Sequence, residues 1–239
     1  MSKASYHRVL IKVSGEALAG DKHTGIDVTM LDRVAGEIKA CHDAGVEVAV
    51  VTGGGNFWRG IKDGGPMERT RADHVGMLAT VMNCIALSEA LERAGVPSEV
   101  MTAVPMPAMC TYYTQRDADK LLKQGKVVLL GCGTGWSYFS TDTGAILRGT
   151  ELHCDVIMLA KNVDGVYDKD PGKNPDAKRL DRITFAEILA KELKVIDSTA
   201  ASLSLDNEIP VLLFALKDPH NIYRACMGES IGTLVTKNL

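Results

Sequence analysis

Gly131-Cys132-Gly133-Thr134-Gly135-Trp136-Ser137-Tyr138-Phe139-Ser140-Thr141-Asp142 follows a short apolar run, Lys126 to Leu130, and precedes Thr143-Gly144-Ala145-Ile146-Leu147-Arg148-Gly149. The apolar run reads as a buried strand and the later segment as the start of a helix. Glycines, then hydroxyls, then a carboxylate at a strand-to-helix junction let backbone N–H groups approach a phosphate closely. Two more glycine turns end other apolar runs: Ser14-Gly15 after Val9–Val13, and Gly53-Gly54-Gly55-Asn56 after Val46–Val51. Three such turns, each at the C-terminal end of a strand, predict a single crevice for phosphorylated ligands in an open sheet.

Outward from that stretch, strand-like and helix-like segments alternate. Strands are expected at 9–13, 46–51, 98–102, 126–130, 156–159 and 210–215, with Ile231 to Val235 closing the sheet. Asp27 caps a helix with Leu31, Val34, Ala35 and Ile38 on one face, ended by Gly45. A long helix is read from Asp73 to Arg93, with Met77, Val81, Cys84, Ile85, Ser88 and Leu91 along its core side. Further helices are read from Thr114 to Gln124, 141–152, after a Thr184/Glu187 capping box, 198–207, and after Asp218-Pro219 as N-cap and first residue. Lys161 to Asp181 reads as a long loop. This alternation implies an α/β fold, a largely parallel sheet covered on both faces, in one domain over 1–239.

Composition sets bounds on function. The chain has 239 residues, 46% of them hydrophobic, and a net charge of -3 without a long basic or acidic run. Bulk attraction to nucleic acid or to a membrane surface is not expected. The six cysteines form no C-x-x-C pair and sit in apolar contexts, which favours buried free thiols in a reducing compartment. The polar N-terminus and the lack of an apolar run approaching spanning length point to a cytoplasmic protein. The histidines have no metal-ligand spacing.

Individual residues carry two readings each. Lys12 lies in a strand otherwise written Val-Leu-Ile-Lys-Val, where burial is costly without an anionic partner; alternatively it snorkels from an edge strand. Three consecutive glycines at 53–55 serve a bare backbone beside a ligand, with Arg59 as a fork of donors, or form a flexible turn with a surface arginine. Asp142 and Asp73 are functional carboxylates or helix caps. Tyr167 with Asp168 and Asp170 suits contact with a base and ribose, or is only a turn.

Several motifs occur in order: Lys12-Val13-Ser14-Gly15-Glu16, Gly53-Gly54-Gly55-Asn56 with Arg59-Gly60, Asp73-His74-Val75-Gly76-Met77-Leu78-Ala79-Thr80, Gly133 to Asp142, and Val163-Asp164-Gly165-Val166-Tyr167 with Asp170-Pro171. Together they resemble the bacterial uridylate kinases of the amino acid kinase superfamily, over nearly the whole chain. The Asp73 and Gly133–Asp142 segments point to the uridylate branch.

The resemblance implies a three-layer αβα sandwich that moves the γ-phosphoryl of ATP to UMP, with Mg2+ bound through ATP phosphates. It also implies a homohexamer, GTP as activator and UTP as inhibitor. By the same resemblance, Lys12, Arg59 and Asp142 serve catalysis. Lys12, Val13, Ser14, Gly15, Gly55 and Arg59 face ATP phosphates, and Lys161 or Asn162, with Tyr167 and Asp170, hold the adenosine end. Gly54, Asp73 and the run Thr134, Gly135, Trp136, Ser137, Tyr138, Phe139, Ser140, Thr141 surround UMP. Gly20, Asp21, Lys22, His23, Thr24 and Gly25 fall where the family has a GTP-linked segment. One departure is clear: the family commonly reads Gly-Thr-Gly-Asn-Pro, and this chain has Gly135-Trp136-Ser137. Two other readings stand beside this one: a superfamily kinase acting on a carboxylate or carbamate, and a non-catalytic binding protein on the same fold.

Overall fold

The computed structural model describes residues 4–59, 63–169, 171–193 and 195–239. Its strands are β1 (Arg8–Val13), β2 (Glu47–Thr52), β3 (Ser98–Thr102), β4 (Thr111–Tyr112), β5 (Val127–Gly131), β6 (Val156–Lys161), β7 (Val166–Tyr167), β8 (Arg179–Leu180), β9 (Arg182–Thr184), β10 (Val211–Ala215) and β11 (Thr233–Thr236). The described helices are α1 (Gly15–Leu18), α2 (Val28–Asp43), α3 (Arg69–Arg93), α4 (Gln115–Lys123), α5 (Thr141–Glu151), α6 (Phe185–Ala190), α7 (Ser198–Asn207) and α8 (Asn221–Cys226).

Nine strands form one sheet in the order β4-β3-β5-β2-β1-β6-β10-β11-β9. Its pairs are parallel except β10 with β11, which are antiparallel. The continuous apolar runs have the composition of strands buried on both faces. Val9, Ile11 and Val13 pack with α2, α3 and α8, whereas Leu10 packs with α4, α5, α6 and α7. The period of two therefore puts Lys12 on the α5 face, beside Leu10.

Local chemistry sets most boundaries. Asp27 accepts from Met30 N, and Gly45 takes φ +84° just past α2. Thr184 and Glu187 form the expected capping box. All six cysteines are free and buried, and burial pushes the Cys132 thiol up to about 11.

Six expectations need correction. The long helix starts at Arg69, one turn before Asp73, because the Glu68 carboxylate caps Thr70 N and Arg71 N. Its core side keeps Val81, Cys84 and Leu91 but runs on through Thr80, Asn83 and Leu87, with Met77 and Ser88 half-buried, while Ile85 is exposed with Leu78 and Met82. At 25 residues α3 also has the length and composition of a membrane span, yet that core side packs against the sheet and α2. Between Lys161 and Asp181 lies the β7–β8 hairpin rather than a plain loop. Finally, Asp218 caps His220 N in the turn before α8, and β9, not β11, is the edge strand.

Candidate active site

The strand order places β5, β2, β1 and β6 side by side. Their C-terminal ends carry the three glycine turns and Lys161. Ser14 N donates to Ala160 O at 3.2 Å, and Gly53 N donates to Val13 O at 2.9 Å, which locks adjacent turns together. No side chain fits between them. A Cβ at Gly15 would lie 2.5 Å from Gly53 O, and one at Gly54 would lie 2.8 Å from Gly76 O.

Lys12 is buried on a central strand, so it does not snorkel from an edge. Its ammonium lies 3.0 Å from Asp142 Oδ1. Lys161 lies at the end of the neighbouring strand β6 and donates to the other oxygen of the same carboxylate and to Val195 O. Asp142 occupies the second position of α5, but the cap there is Ser140, whose hydroxyl accepts from Asp142 N and Thr143 N. The carboxylate is thus released from capping and held between two ammoniums. Burial raises its pKa, and the Lys12 and Lys161 charges more than offset this, leaving it below the usual carboxylate range. Lys161, expected with Asn162 as one of two alternatives at the adenosine end, is held in this cluster.

Arg59 pairs with Glu16, and Asn162 Nδ2 donates to the other Glu16 oxygen at 2.8 Å. Glu16 thereby links the first and second turns to the end of β6, a role that its place in the Lys12–Glu16 motif did not reveal. Tyr167 lies apart on the β7–β8 hairpin, its hydroxyl donating to Asp164. Asp170 and Gly60 lie outside the described residues.

Beside the lysine cluster is a cavity of about 140 Å³ lined by Gly54, Asp73, Gly76, Thr80 and Thr134, with Trp58, Trp136 and Phe139 as its aromatic members. Asp73 accepts from Arg69 Nε and from Tyr138 N, both at 2.8 Å. It therefore pins the 134–139 loop to the first turns of α3. Tyr138 holds φ +70°, and Arg69 lies over its ring at 4.9 Å. From behind, Arg148 donates to Gly133 O and Thr134 O, both at 3.4 Å. Ser137 donates to Thr70 O at 3.5 Å, and Gly135 takes φ +86°. Trp136 is 75% exposed and edges the cavity rather than filling it. Ser140 and Thr141 line its inner wall.

Segment 20–25 forms a short 3-10 turn over Gly20–Lys22, with His23 at φ +61° and Lys22 4.0 Å from Asp27. Gly25 exchanges two hydrogen bonds with Asn56 of the second glycine turn.

The arrangement concentrates positive charge and free backbone donors at one end of the sheet. Charge neutralisation and alignment there suit group transfer between phosphates. Among the described residues no cluster of three carboxylate, histidine or cysteine side chains could hold a metal ion.

Residues 7–215 match the model of the amino acid kinase family. The fold is also that of three solved kinases. The UMP kinase of Bacillus anthracis is 34% identical, with a TM-score of 0.94 over 98% of this chain and 97% of that one. The UMP kinase of Ureaplasma parvum is 35% identical, with a TM-score of 0.90 over 96% and 98%. The uridylate kinase of Archaeoglobus fulgidus is 27% identical, with a TM-score of 0.72 over 95% and 99%. This chain belongs to the amino acid kinase family.

Proposed function

We propose that the chain, acting as one domain over 1–239, transfers the γ-phosphoryl of Mg-ATP to UMP and gives UDP. The observation that carries this reading is the buried Asp142 carboxylate between Lys12 and Lys161, set beside a cavity lined by Gly54, Asp73 and the 134–141 loop. Likeness to three kinases of UMP over nearly the full length supports the choice of acceptor.

The UMP phosphate is the nucleophile and is already anionic at neutral pH, so no strong base is needed. Asp142, with both oxygens engaged, acts as an organiser that aims two ammoniums at the moving phosphoryl group. The turns at Ser14-Gly15 and Gly54-Gly55 offer N–H groups to phosphate oxygens. Arg59, released from Glu16, adds a fork of donors. A Mg2+ ion bound through the ATP oxygens would neutralise part of their charge. Asp73 and the 134–141 loop orient UMP, with Trp136 at the mouth of the cavity. Asn162 and Tyr167 serve the adenosine side.

The exposed Leu78, Met82 and Ile85 on α3 support a homo-oligomer, read here as a hexamer. GTP activation through segment 20–25, UTP inhibition, a place in pyrimidine nucleotide synthesis and a cytoplasmic location complete the reading.

The test is a coupled assay of ADP release with UMP, CMP, acetylglutamate, aspartate and carbamate as acceptors. Turnover is expected with UMP above all others, and Lys12→Ala is expected to lower kcat by about 10²–10³ with its fold intact. Turnover with a carboxylate or carbamate in place of UMP would overturn the acceptor. An absence of turnover with every acceptor favours the non-catalytic alternative.

A further inference from the structure

Asn83 is a fully buried amide in the middle of α3, on a helix face otherwise made of Thr80, Cys84, Leu87 and Leu91. A buried polar side chain in such a place must find partners. Its Nδ2 donates to Gly53 O at 2.7 Å and to Asn56 Oδ1 at 2.8 Å. Asn56, itself buried, donates back to Asn83 Oδ1 at 3.0 Å and onward to Gly25 O at 2.7 Å. The backbone carbonyls at both ends of this chain fix which way each amide points.

The consequence lies in the Gly53–Gly54 peptide. A planar trans peptide directs its C=O and its N–H to opposite sides. With Gly53 O held toward α3 by Asn83, Gly54 N–H is turned the other way. Among the described residues, neither Gly54 N–H nor Gly55 N–H donates to a protein acceptor. Glycine on both sides of this peptide removes the steric barrier to its rotation, so the turn does not fix its own orientation. Gly15 packs against the same assembly, since a Cβ there would lie 2.6 Å from Asn56 Oδ1.

We propose that Asn83 is a positioning residue. Through its hydrogen bond to Gly53 O it sets the direction of the Gly54 N–H group, and through its reciprocal amide pair with Asn56 it ties segment 20–25 to the same turn. This rests on the phosphoryl-transfer reading for its effect on rate, but not for its effect on structure.

Two measurements test it on the full chain. Asn83→Asp keeps the shape and removes the donors to Gly53 O and Asn56 Oδ1. Donors aimed at developing charge act in the transition state, so kcat is expected to fall at least about tenfold, with KM for UMP and for ATP within about threefold. Amide hydrogen exchange is expected to quicken in peptides covering 20–25 and 53–59, both remote in sequence from residue 83. Asn56→Asp removes the donors to Asn83 Oδ1 and Gly25 O and is expected to quicken exchange in the same two peptides, which keeps the coupling test decisive where Asn83→Asp does not fold. Unchanged kcat, or faster exchange confined to 69–93, would overturn the proposal and leave Asn83 a structural amide. A wild-type chain without UMP phosphorylation would refute the phosphoryl-transfer reading, while the exchange result would still decide the coupling.

Discussion

Asp142→Asn removes the negative charge between the buried Lys12 ammonium and the half-buried Lys161 ammonium. At the observed 3.0 Å, an effective dielectric of about 20 gives an attraction of about 5 kcal/mol for the Lys12 contact alone. Part of that is offset by desolvation, and the amide keeps one carbonyl acceptor. Breaking a buried pair from one side typically costs about 3–5 kcal/mol, and the partial exposure of Lys161 favours the lower end. At about 2–4 °C per kcal/mol for a chain of this size, about 3 kcal/mol lowers Tm by about 6–12 °C at pH 7. The pH dependence has a definite sign. The folded pKa of Asp142 lies below its unfolded value, so its contribution is present above the unfolded value of about 3.9 and lost as pH falls through the folded one. The Tm gap between wild type and variant is therefore expected to narrow below about pH 4. Nucleotide phosphates replace the missing charge, so ATP is expected to raise the Tm of Asp142→Asn more than that of wild type. Calorimetry or circular dichroism with and without ATP reads all three effects. A variant within about 2 °C of wild type at pH 7, with no extra gain from ATP, would refute the reasoning.

Other outcomes follow from the same geometry. Asp73→Asn weakens the tie from α3 to Tyr138 N and is expected to raise KM for UMP more than KM for ATP; steady-state kinetics with the opposite split would exchange the two sites. Trp136→Asn is expected to weaken UMP by a few-fold without affecting ATP, since stacking contributes about 0.5–1.5 kcal/mol. The UMP-linked fluorescence change should shrink in Trp136→Phe, with Trp58, which lines the same cavity, supplying the remainder. If UMP affinity is unchanged in Trp136→Asn and the oligomer shifts instead, the indole belongs to a subunit contact. Light scattering at micromolar concentration is expected to give a mass above that of a dimer, and the 25.7 kDa of one chain would reject the oligomer.

The central strands were legible because they are unbroken apolar runs bounded by glycine turns, and the crevice followed from where those turns fall. The cost of burying Lys12 correctly demanded an anionic partner, and Asp142 was already singled out, though its neighbour could not be named from spacing. The pairing of Lys161 with Asp142 was not seen because the sixth strand was read as ending at Leu159. Two more residues of strand, with polarity only at the last, carry it past Leu159, which is level with Lys12, onto the same face. The start of α3 was misplaced because Arg69-Thr70-Arg71 carries no apolar period; the Glu68 cap decides it. Strands of two residues such as β7 and β8 are too short to show alternation. Asn83 left no mark, since one amide in an apolar pattern reads as a tolerated polar residue until its partners are seen.

The strand order has a consequence for synthesis. β4, β3, β5, β2 and β1 all come from the chain up to Gly131, and they are neighbours. The outer partner of β1 on the other side is β6, where Val13 faces Ala160. From Gly131 to the end of β6 at Lys161, at about 5–20 residues per second, the ribosome needs roughly 2–6 s. During that interval the nascent half-sheet presents Val9 to Val13 as an unpaired apolar edge, the kind of surface that recruits a foreign strand. Lys12 sits within that edge, without Asp142 until α5 emerges. A charge on an open edge deters wrong pairing, so the residue that later faces the phosphates also guards the strand that carries it while the sheet is half made.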